Sequence, residues 1–197
     1  MPKWDWKKEI LTIPNLLSLF RLVLIPVYIR IYLHAQTEAD YALAAGILAL
    51  SCLTDLADGR IARKYHMIST VGKVLDPIAD KLTQFTLIFC LAQSNPVLWM
   101  LIALFVVKEF FQLVAGIVNF RRGKMLTGAL FSGKLCTTVM FVSLTILVLF
   151  PDLGAIYVEC IAAICAVFLL VAFGDYVRVY RGDSPMLQDM EPPKNPS

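Results

Sequence analysis

Six long apolar stretches, separated by short polar breaks, dominate this chain of 197 residues. Hydrophobic residues make up 58% of the sequence and charged residues 17%, below the roughly one quarter of charged residues that soluble domains contain. Each stretch has about the 20 apolar residues that a helix needs to cross a bilayer. The sequence therefore predicts an all-α integral membrane protein with six transmembrane helices. The predicted spans are 14–34, 41–64, 72–93, 96–120, 132–150 and 153–177.

The basic residues predict the orientation of these spans. Lys and Arg occur before the first span, on the two span ends that flank the second connection (Arg60, Arg63, Lys64 and Lys73), in the fourth connection and after the sixth span, whereas the first, third and fifth connections contain none. Because positively charged loops stay on the cytoplasmic side, both termini are expected to face the cytoplasm. The same alternation supports the count of six spans independently of hydropathy.

Three regions follow from this topology. Residues 1–13 alternate Trp, Ile and Leu with charged residues, which predicts an amphipathic segment lying in the membrane interface. Residues 14–181 form the predicted six-helix membrane domain. Residues 182–197 contain four prolines and few apolar residues, so we expect a disordered cytoplasmic tail.

Four aspartates stand in the pattern D-x-x-D-G-x-x-A-R, then eight residues, then G-x-x-x-D-x-x-x-D. Asp55 and Asp58 are three residues apart and Asp76 and Asp80 are four apart, so each pair shares a helix face. We expect the two helices to be antiparallel neighbours whose carboxylates converge near the cytoplasmic surface. Carboxylates are costly at membrane depth and repel one another, so one or two divalent cations are expected. Oxygen ligands favour Mg²⁺, Mn²⁺ or Ca²⁺ over Zn²⁺.

The residues between the aspartates predict a phosphate ligand. Gly59 and Gly72 would let a ligand approach the helices closely, and Arg63 could make a bidentate contact with a phosphate. Metal ions could then polarise a phosphoryl group while a carboxylate accepts the proton of an attacking hydroxyl. The cluster therefore predicts chemistry on a phosphate ester at the membrane surface.

The whole motif resembles the signature of the CDP-alcohol phosphatidyltransferases, and residues 12–21, T-I-P-N-L-L-S-L-F-R, resemble the N-terminal signature of that family. The resemblance implies the family's six-helix fold, with residues 14–181 as the catalytic domain. It also implies transfer of a phosphatidyl group from a CDP-linked lipid to an alcohol, with release of CMP. Two Mg²⁺ or Mn²⁺ ions, membrane lipid and a homodimeric partner are implied with it. We expect a bacterial cytoplasmic membrane, an active site facing the cytoplasm, and no nucleic-acid partner.

The resemblance also implies roles for individual residues. Asp55, Asp58 and Asp76 would hold the two metal ions, and Asp80 would bridge to one of them and act as the catalytic general base. The residues that would bind CDP are Asn15, Asp58, Gly59, Ala62, Arg63 and Gly72. Arg21 lies six residues after Asn15 in the first span, and we expect it to face the same site.

The acceptor alcohol depends on a second resemblance. The segment L-D-P-I-A-D-K, at 75–81, resembles the branch of the family that joins CDP-diacylglycerol to glycerol 3-phosphate. It also resembles the CDP-lipid cardiolipin synthases, which use phosphatidylglycerol, and that reaction is the alternative. Glycerol 3-phosphate carries two negative charges, so its site needs cations. The candidates are Arg60, Lys108, Arg121 and Lys134.

An ion transporter with a carboxylate site is an alternative from a different functional class. Transport would require polar residues to continue across the membrane. Residues 42–53 and 82–91 are largely apolar, which favours an enzyme at one membrane surface.

Overall fold

The computed structural model describes residues 13–64, 72–122, 124–126, 130–181 and 187–189. Within these ranges the chain forms six helices and two short strands. The helices are α1 (Ile13–Leu33), α2 (Glu38–Lys64), α3 (Gly72–Ser94), α4 (Leu98–Arg121), α5 (Phe131–Leu149) and α6 (Ala155–Tyr180). The strands are β1 (Lys124–Leu126), before α5, and β2 (Leu187–Asp189), after α6. Every helix begins and ends within three residues of its predicted position, so the predicted six-helix organisation is confirmed for the described residues.

Four of the described helices are long and apolar enough to cross a membrane, which makes this an integral membrane protein. The four segments are Asn15–Leu33, Leu98–Arg121, Phe131–Leu149 and Ala155–Tyr180. The other two helices, α2 and α3, have 27 and 23 residues but carry the aspartate motif. Its charges lower their hydropathy, so composition alone supports four spans where the basic-residue pattern predicts six.

The N-terminus of α2 is fixed by a capping box. The hydroxyl of Thr37 accepts the backbone N–H of Asp40 at 3.3 Å, and the Asp40 carboxylate accepts the backbone N–H of Thr37 at 2.9 Å. The Asp40 carboxylate accepts hydrogen bonds from the backbone N–H of Gln36, which has the largest effect, and from the hydroxyl and backbone N–H of Thr37. These bonds stabilise the charged form and hold the pKa of the Asp40 carboxyl below its usual range. The cap explains why α2 begins at Glu38, three residues before the predicted start.

The described residues form two compact units, and the first contains α1, α2, α3 and residues 144–153. Within it, α1 packs against both α2 and α3. Small buried residues, Ala44 and Ala45 on α2 and Ala79 on α3, allow close helix packing. The sequence predicts direct packing of α2 against α3. The contacts that the structure gives join α1 to α2 and α1 to α3, while the side chains at the motif end of α2 lie outside the described ones.

The second unit contains α4, the first part of α5, α6 and the two strands. Here α4 packs against α6. Leu130, Tyr176 and Val179 form a buried cluster, against which Phe111 and Tyr180 pack. This aromatic cluster joins α4 and the start of α5 to the last two turns of α6.

The C-terminal region differs from its prediction over three residues. A disordered tail is predicted for 182–197, yet β2 pairs antiparallel with β1, placing Leu187 opposite Leu126 and Asp189 opposite Lys124. The backbone groups of β2 pair with those of β1, and the composition of the tail alone does not predict this pairing. The rest of the predicted tail, and residues 1–12 of the predicted interfacial segment, lie outside the described residues.

Gly133 provides a test of packing in the second unit. A Cβ atom at this position would lie 2.8 Å from the Tyr176 hydroxyl oxygen and 3.1 Å from its Cε2. Because Tyr176 is only 4% exposed, its ring has little room to move. We expect Gly133→Ala to lower the free energy of unfolding by about 1–3 kcal/mol, measured by thermal or denaturant unfolding in detergent.

The matched control is Gly174→Ala on α6, where a Cβ would meet no atom within 4 Å. Removing a helical glycine there should leave stability unchanged or raise it by about 1 kcal/mol. Equal unfolding midpoints for the two variants would contradict the described contact between Gly133 and Tyr176.

Candidate active site

The start of α3 positions two of the four motif aspartates. Asp76 and Asp80 are one helical turn apart, so their side chains leave the same face of α3. Their side chains are 40% and 44% exposed, so solvent or a ligand can reach both. Between them, Pro77 lies inside the helix and cannot donate a backbone hydrogen bond to the preceding turn. The two carboxylates therefore stand at an interrupted point of the helix, near its N-terminus.

The facing surface is a polar stripe on α1. Asn15, Ser18 and Arg21 follow one another at three-residue intervals, and they are 1%, 0% and 2% exposed. This interval keeps all three on one side of the helix. Polar side chains this deeply buried need partners, and α3 supplies them for Ser18 and Arg21.

Two contacts join the stripe to the aspartates. The Ser18 hydroxyl donates to Asp76 Oδ1. Arg21 Nη1 donates to Asp80 Oδ1 at 2.5 Å, and Arg21 Nη2 lies 4.0 Å from Asp76 Oδ1. The guanidinium of Arg21 therefore lies against both carboxylates, as expected for a residue facing the site. Ser18 is a site residue that the sequence did not predict, although its spacing from Asn15 and Arg21 is the signal that identifies it.

Several predicted site residues are described only in part. Asp55, Asp58, Gly59, Arg60, Ala62 and Arg63 belong to the C-terminal part of α2, and their side chains lie outside the described ones. Gly72 is buried as the first residue of α3, and Asn15 is buried in the α1 stripe. The structure therefore brings Asn15, Asp76 and Asp80 to the packed α1–α3 pair of the first unit.

The described carboxylates fit a divalent cation in their chemistry. Asp76 and Asp80 offer oxygen donors, negative charge and partial exposure on one helix face, which suits Mg²⁺ or Mn²⁺. Among the side chains that the structure describes, no group of three or more His, Cys, Asp or Glu residues gathers as a metal site. The side chains of the other two predicted ligands, Asp55 and Asp58, lie outside the described ones.

Buried polar residues continue beyond the aspartates within the first unit. A small cavity lies beside Arg21 and is lined in part by Tyr28, Ser51, Thr83 and Thr86. The hydroxyl of Tyr28 is buried and has no hydrogen-bond partner among the described residues. The rest of the cavity lining is apolar and includes Leu24, Ile47 and Leu48.

Lys108 occupies a separate buried position in the second unit. It is 4% exposed, its Nζ donates to Glu109 Oε1 at 2.7 Å, and it lies 5.5 Å from the centre of the Tyr176 ring. A neighbouring carboxylate and an aromatic face both stabilise a buried ammonium group. Lys108 thus has protein partners already in place.

The other predicted acceptor cations in this unit are exposed. Arg121 ends α4 and Lys134 lies in the first turn of α5, on either side of residues 122–130. Lys108 is 13 residues before Arg121 on one helix, which corresponds to about 20 Å along its axis. The structure therefore does not bring Lys108 and Arg121 to one phosphate.

This chain is similar to one family of proteins over most of its length. The family model for CDP-alcohol phosphatidyltransferase matches residues 11–172. A probable phosphatidylglycerophosphate synthase of Mycobacterium tuberculosis is 32% identical over 175 residues, 87% of this chain and 82% of the relative. A CDP-diacylglycerol–glycerol-3-phosphate 3-phosphatidyltransferase of Rickettsia typhi is 32% identical over 167 residues, 82% of this chain and 92% of the relative. A CMP-forming cardiolipin synthase of Streptomyces coelicolor is 31% identical over 163 residues, 81% and 73% of the two chains.

The Lys108–Glu109 pair can be tested through stability. Replacing only the carboxylate, in Glu109→Leu, would leave a buried ammonium group without its ionic partner. We expect this variant to lose about 2–4 kcal/mol of unfolding free energy, measured by denaturant titration in detergent. The double variant Lys108→Met/Glu109→Leu should recover much of the loss, because it removes both charges. If the single and double variants are equally destabilised, the ion pair is not the cause.

Proposed function

Because this chain belongs to the CDP-alcohol phosphatidyltransferase family, we propose that it transfers a phosphatidyl group from CDP-diacylglycerol to glycerol 3-phosphate and releases CMP. The observation that carries this proposal is similarity over most of the chain to relatives named for that reaction. The L-D-P-I-A-D-K segment at the start of α3 fits this acceptor and equally fits the alternative acceptor, phosphatidylglycerol.

In the proposed reaction, Asp80 accepts a proton from the attacking hydroxyl of glycerol 3-phosphate. The hydroxyl oxygen bonds to the lipid-side phosphorus of the pyrophosphate, and the bond from that phosphorus to the bridging oxygen breaks. CMP leaves with the bond's electron pair. The partial exposure of the Asp80 carboxylate supports its role, because a general base must reach the acceptor directly or through one water.

The metal requirement is part of the proposal. Asp55, Asp58, Asp76 and Asp80 would hold two Mg²⁺ or Mn²⁺ ions. When bound, such ions polarise the phosphoryl group and stabilise the charge on the leaving phosphate. On the protein side, the Ser18 hydroxyl donates to Asp76 and the Arg21 guanidinium donates to Asp80.

The nucleotide half of the donor would bind beside the aspartates. The residues proposed to contact CDP are Asn15, Asp58, Gly59, Ala62, Arg63 and Gly72. The burial of Asn15 next to the Ser18–Arg21 stripe supports its place in this group. Gly72, buried at the first residue of α3, lies one turn before Asp76 and provides a helix start without a side chain.

For the acceptor phosphate, Arg60, Lys108, Arg121 and Lys134 remain the proposed cations. Exposure favours Arg121 and Lys134, because both can meet a soluble anion without breaking a described ion pair. Lys108 would have to exchange Glu109 for the acceptor.

We propose that all six helices span a bacterial cytoplasmic membrane, with both termini and the aspartates on the cytoplasmic side. The alternation of basic connections supports this topology. We also propose a homodimer, which the family resemblance supports.

An acceptor panel tests the proposed reaction. Purified protein in detergent receives CDP-diacylglycerol and Mg²⁺ or Mn²⁺, with glycerol 3-phosphate, phosphatidylglycerol, serine or inositol supplied separately. We expect CMP release with glycerol 3-phosphate and none without metal. Release only with phosphatidylglycerol would instead identify a cardiolipin synthase. Absence of release with every acceptor, together with ion flux in liposomes, would favour transport.

The Asp80→Asn variant tests the general base. The amide keeps the size of the side chain and an oxygen donor but cannot take up the proton, so we expect kcat to fall by about 10²–10⁴-fold. Mn²⁺ binding, followed by electron paramagnetic resonance, should persist. The control is Asp152→Asn, an exposed position between α5 and α6. Normal turnover by Asp80→Asn would overturn the assignment.

A further inference from the structure

We propose that Ser18 and Arg21 are positioning residues, which fix the orientations of Asp76 and Asp80 from the buried face of α1 and thereby set the site's affinity for divalent cations. The inference rests on the proposed metal-dependent function and deepens it. It assigns work to a helix that carries none of the four motif aspartates.

The difference in burial between the two helices is the first argument. Ser18 and Arg21 are 0% and 2% exposed, whereas the side chains of Asp76 and Asp80 are 40% and 44% exposed. A side chain at a partly exposed position retains rotamer freedom unless a contact fixes it. The packed residues of α1 are therefore the fixed partners, and the carboxylates are the groups that they orient.

The geometry of Arg21 gives the second argument. One nitrogen of its planar guanidinium bonds Asp80 at 2.5 Å and the other lies 4.0 Å from Asp76. A planar fork that is bonded to one carboxylate and lies beside a second restricts how the two can be arranged more than a single ammonium group does. Since Arg21 is almost completely buried, it acts on a ligand through these carboxylates.

The positive charge of Arg21 helps to distinguish two possible effects on metal binding: orientation of the carboxylates and direct electrostatic interaction with the cation. A guanidinium repels a nearby metal cation, so charge alone would make Arg21 weaken metal binding. Its benefit must come from ordering the carboxylates and from compensating part of their negative charge. Arg21→Lys keeps the charge and removes the fork, so this variant isolates the geometric effect.

Ser18 provides an independent test because it is neutral. Its hydroxyl contacts Asp76 Oδ1, and Ser18→Ala removes that hydrogen bond without changing the net charge or adding volume. Hydrogen-bond partners of metal ligands typically change metal affinity by about 10- to 100-fold when they are removed. A loss of affinity in this variant can therefore be attributed to orientation.

The experiment measures Mn²⁺ binding to full-length protein in detergent, without lipid substrate, by electron paramagnetic resonance. We expect Kd to rise about 10-fold or more in both Arg21→Lys and Ser18→Ala. The matched control is Arg30→Lys, the same substitution at an exposed position of α1, which should bind Mn²⁺ as the wild type does. Melting temperatures with and without Mn²⁺ give a second measure, because weaker binding reduces the metal-dependent stabilisation.

Three results would overturn the inference. The first is that both variants bind Mn²⁺ with the affinity of the wild type. The second is that the variants keep this affinity but have a raised KM for CDP-diacylglycerol, which would make Ser18 and Arg21 substrate contacts. The third is failure of the wild-type protein to bind Mn²⁺. If Arg21→Lys does not fold, Ser18→Ala decides alone. Weaker Mn²⁺ binding in the variants, with a wild type inactive toward glycerol 3-phosphate, would support positioning while rejecting the proposed acceptor.

Discussion

The pairing of a buried arginine on α1 with two aspartates on α3 is the interaction on which the first unit depends. A guanidinium that is 2% exposed in an apolar helix is tolerable only when anionic partners compensate its charge. Asp80 and Asp76 supply that compensation, and the requirement holds α1 against α3 in one register. Packing and chemistry therefore impose the same geometry, since a slip of either helix would separate the charges and disperse the carboxylates.

Helix positions and the shared helix face of Asp76 and Asp80 could be predicted because their signals are local. Apolar length set the helix ends, and spacing placed Asp76 and Asp80 on one face. Ser18 was missed although it lies on the same helix face as Asn15 and Arg21, because that spacing becomes informative only once the polar stripe is recognised as facing the aspartates. The role of α1 between α2 and α3, and the pairing of β2 with β1, depend on contacts between segments distant in sequence. Periodicity and composition do not record such contacts.

The two units carry different groups of the proposed functional residues. The first carries the aspartates and the α1 stripe, which any transfer from a CDP-linked lipid would need. The second carries Arg121 and Lys134 as exposed cations and Lys108 as a buried, paired one. Three of the four cations proposed for the acceptor phosphate thus belong to the second unit, and the fourth, Arg60, belongs to the first.

The Arg21–Asp80 pair also affects how the protein is made. An arginine costs about 3 kcal/mol to insert at the centre of a membrane helix, and less near its end. α1 leaves the ribosome first, and Asp80 follows 59 residues later, a delay of roughly 3 to 12 seconds at ordinary elongation rates. During that interval the first helix carries a cation whose partner does not yet exist. The packing that compensates the charge of Arg21 can therefore form only after α3 has been synthesised.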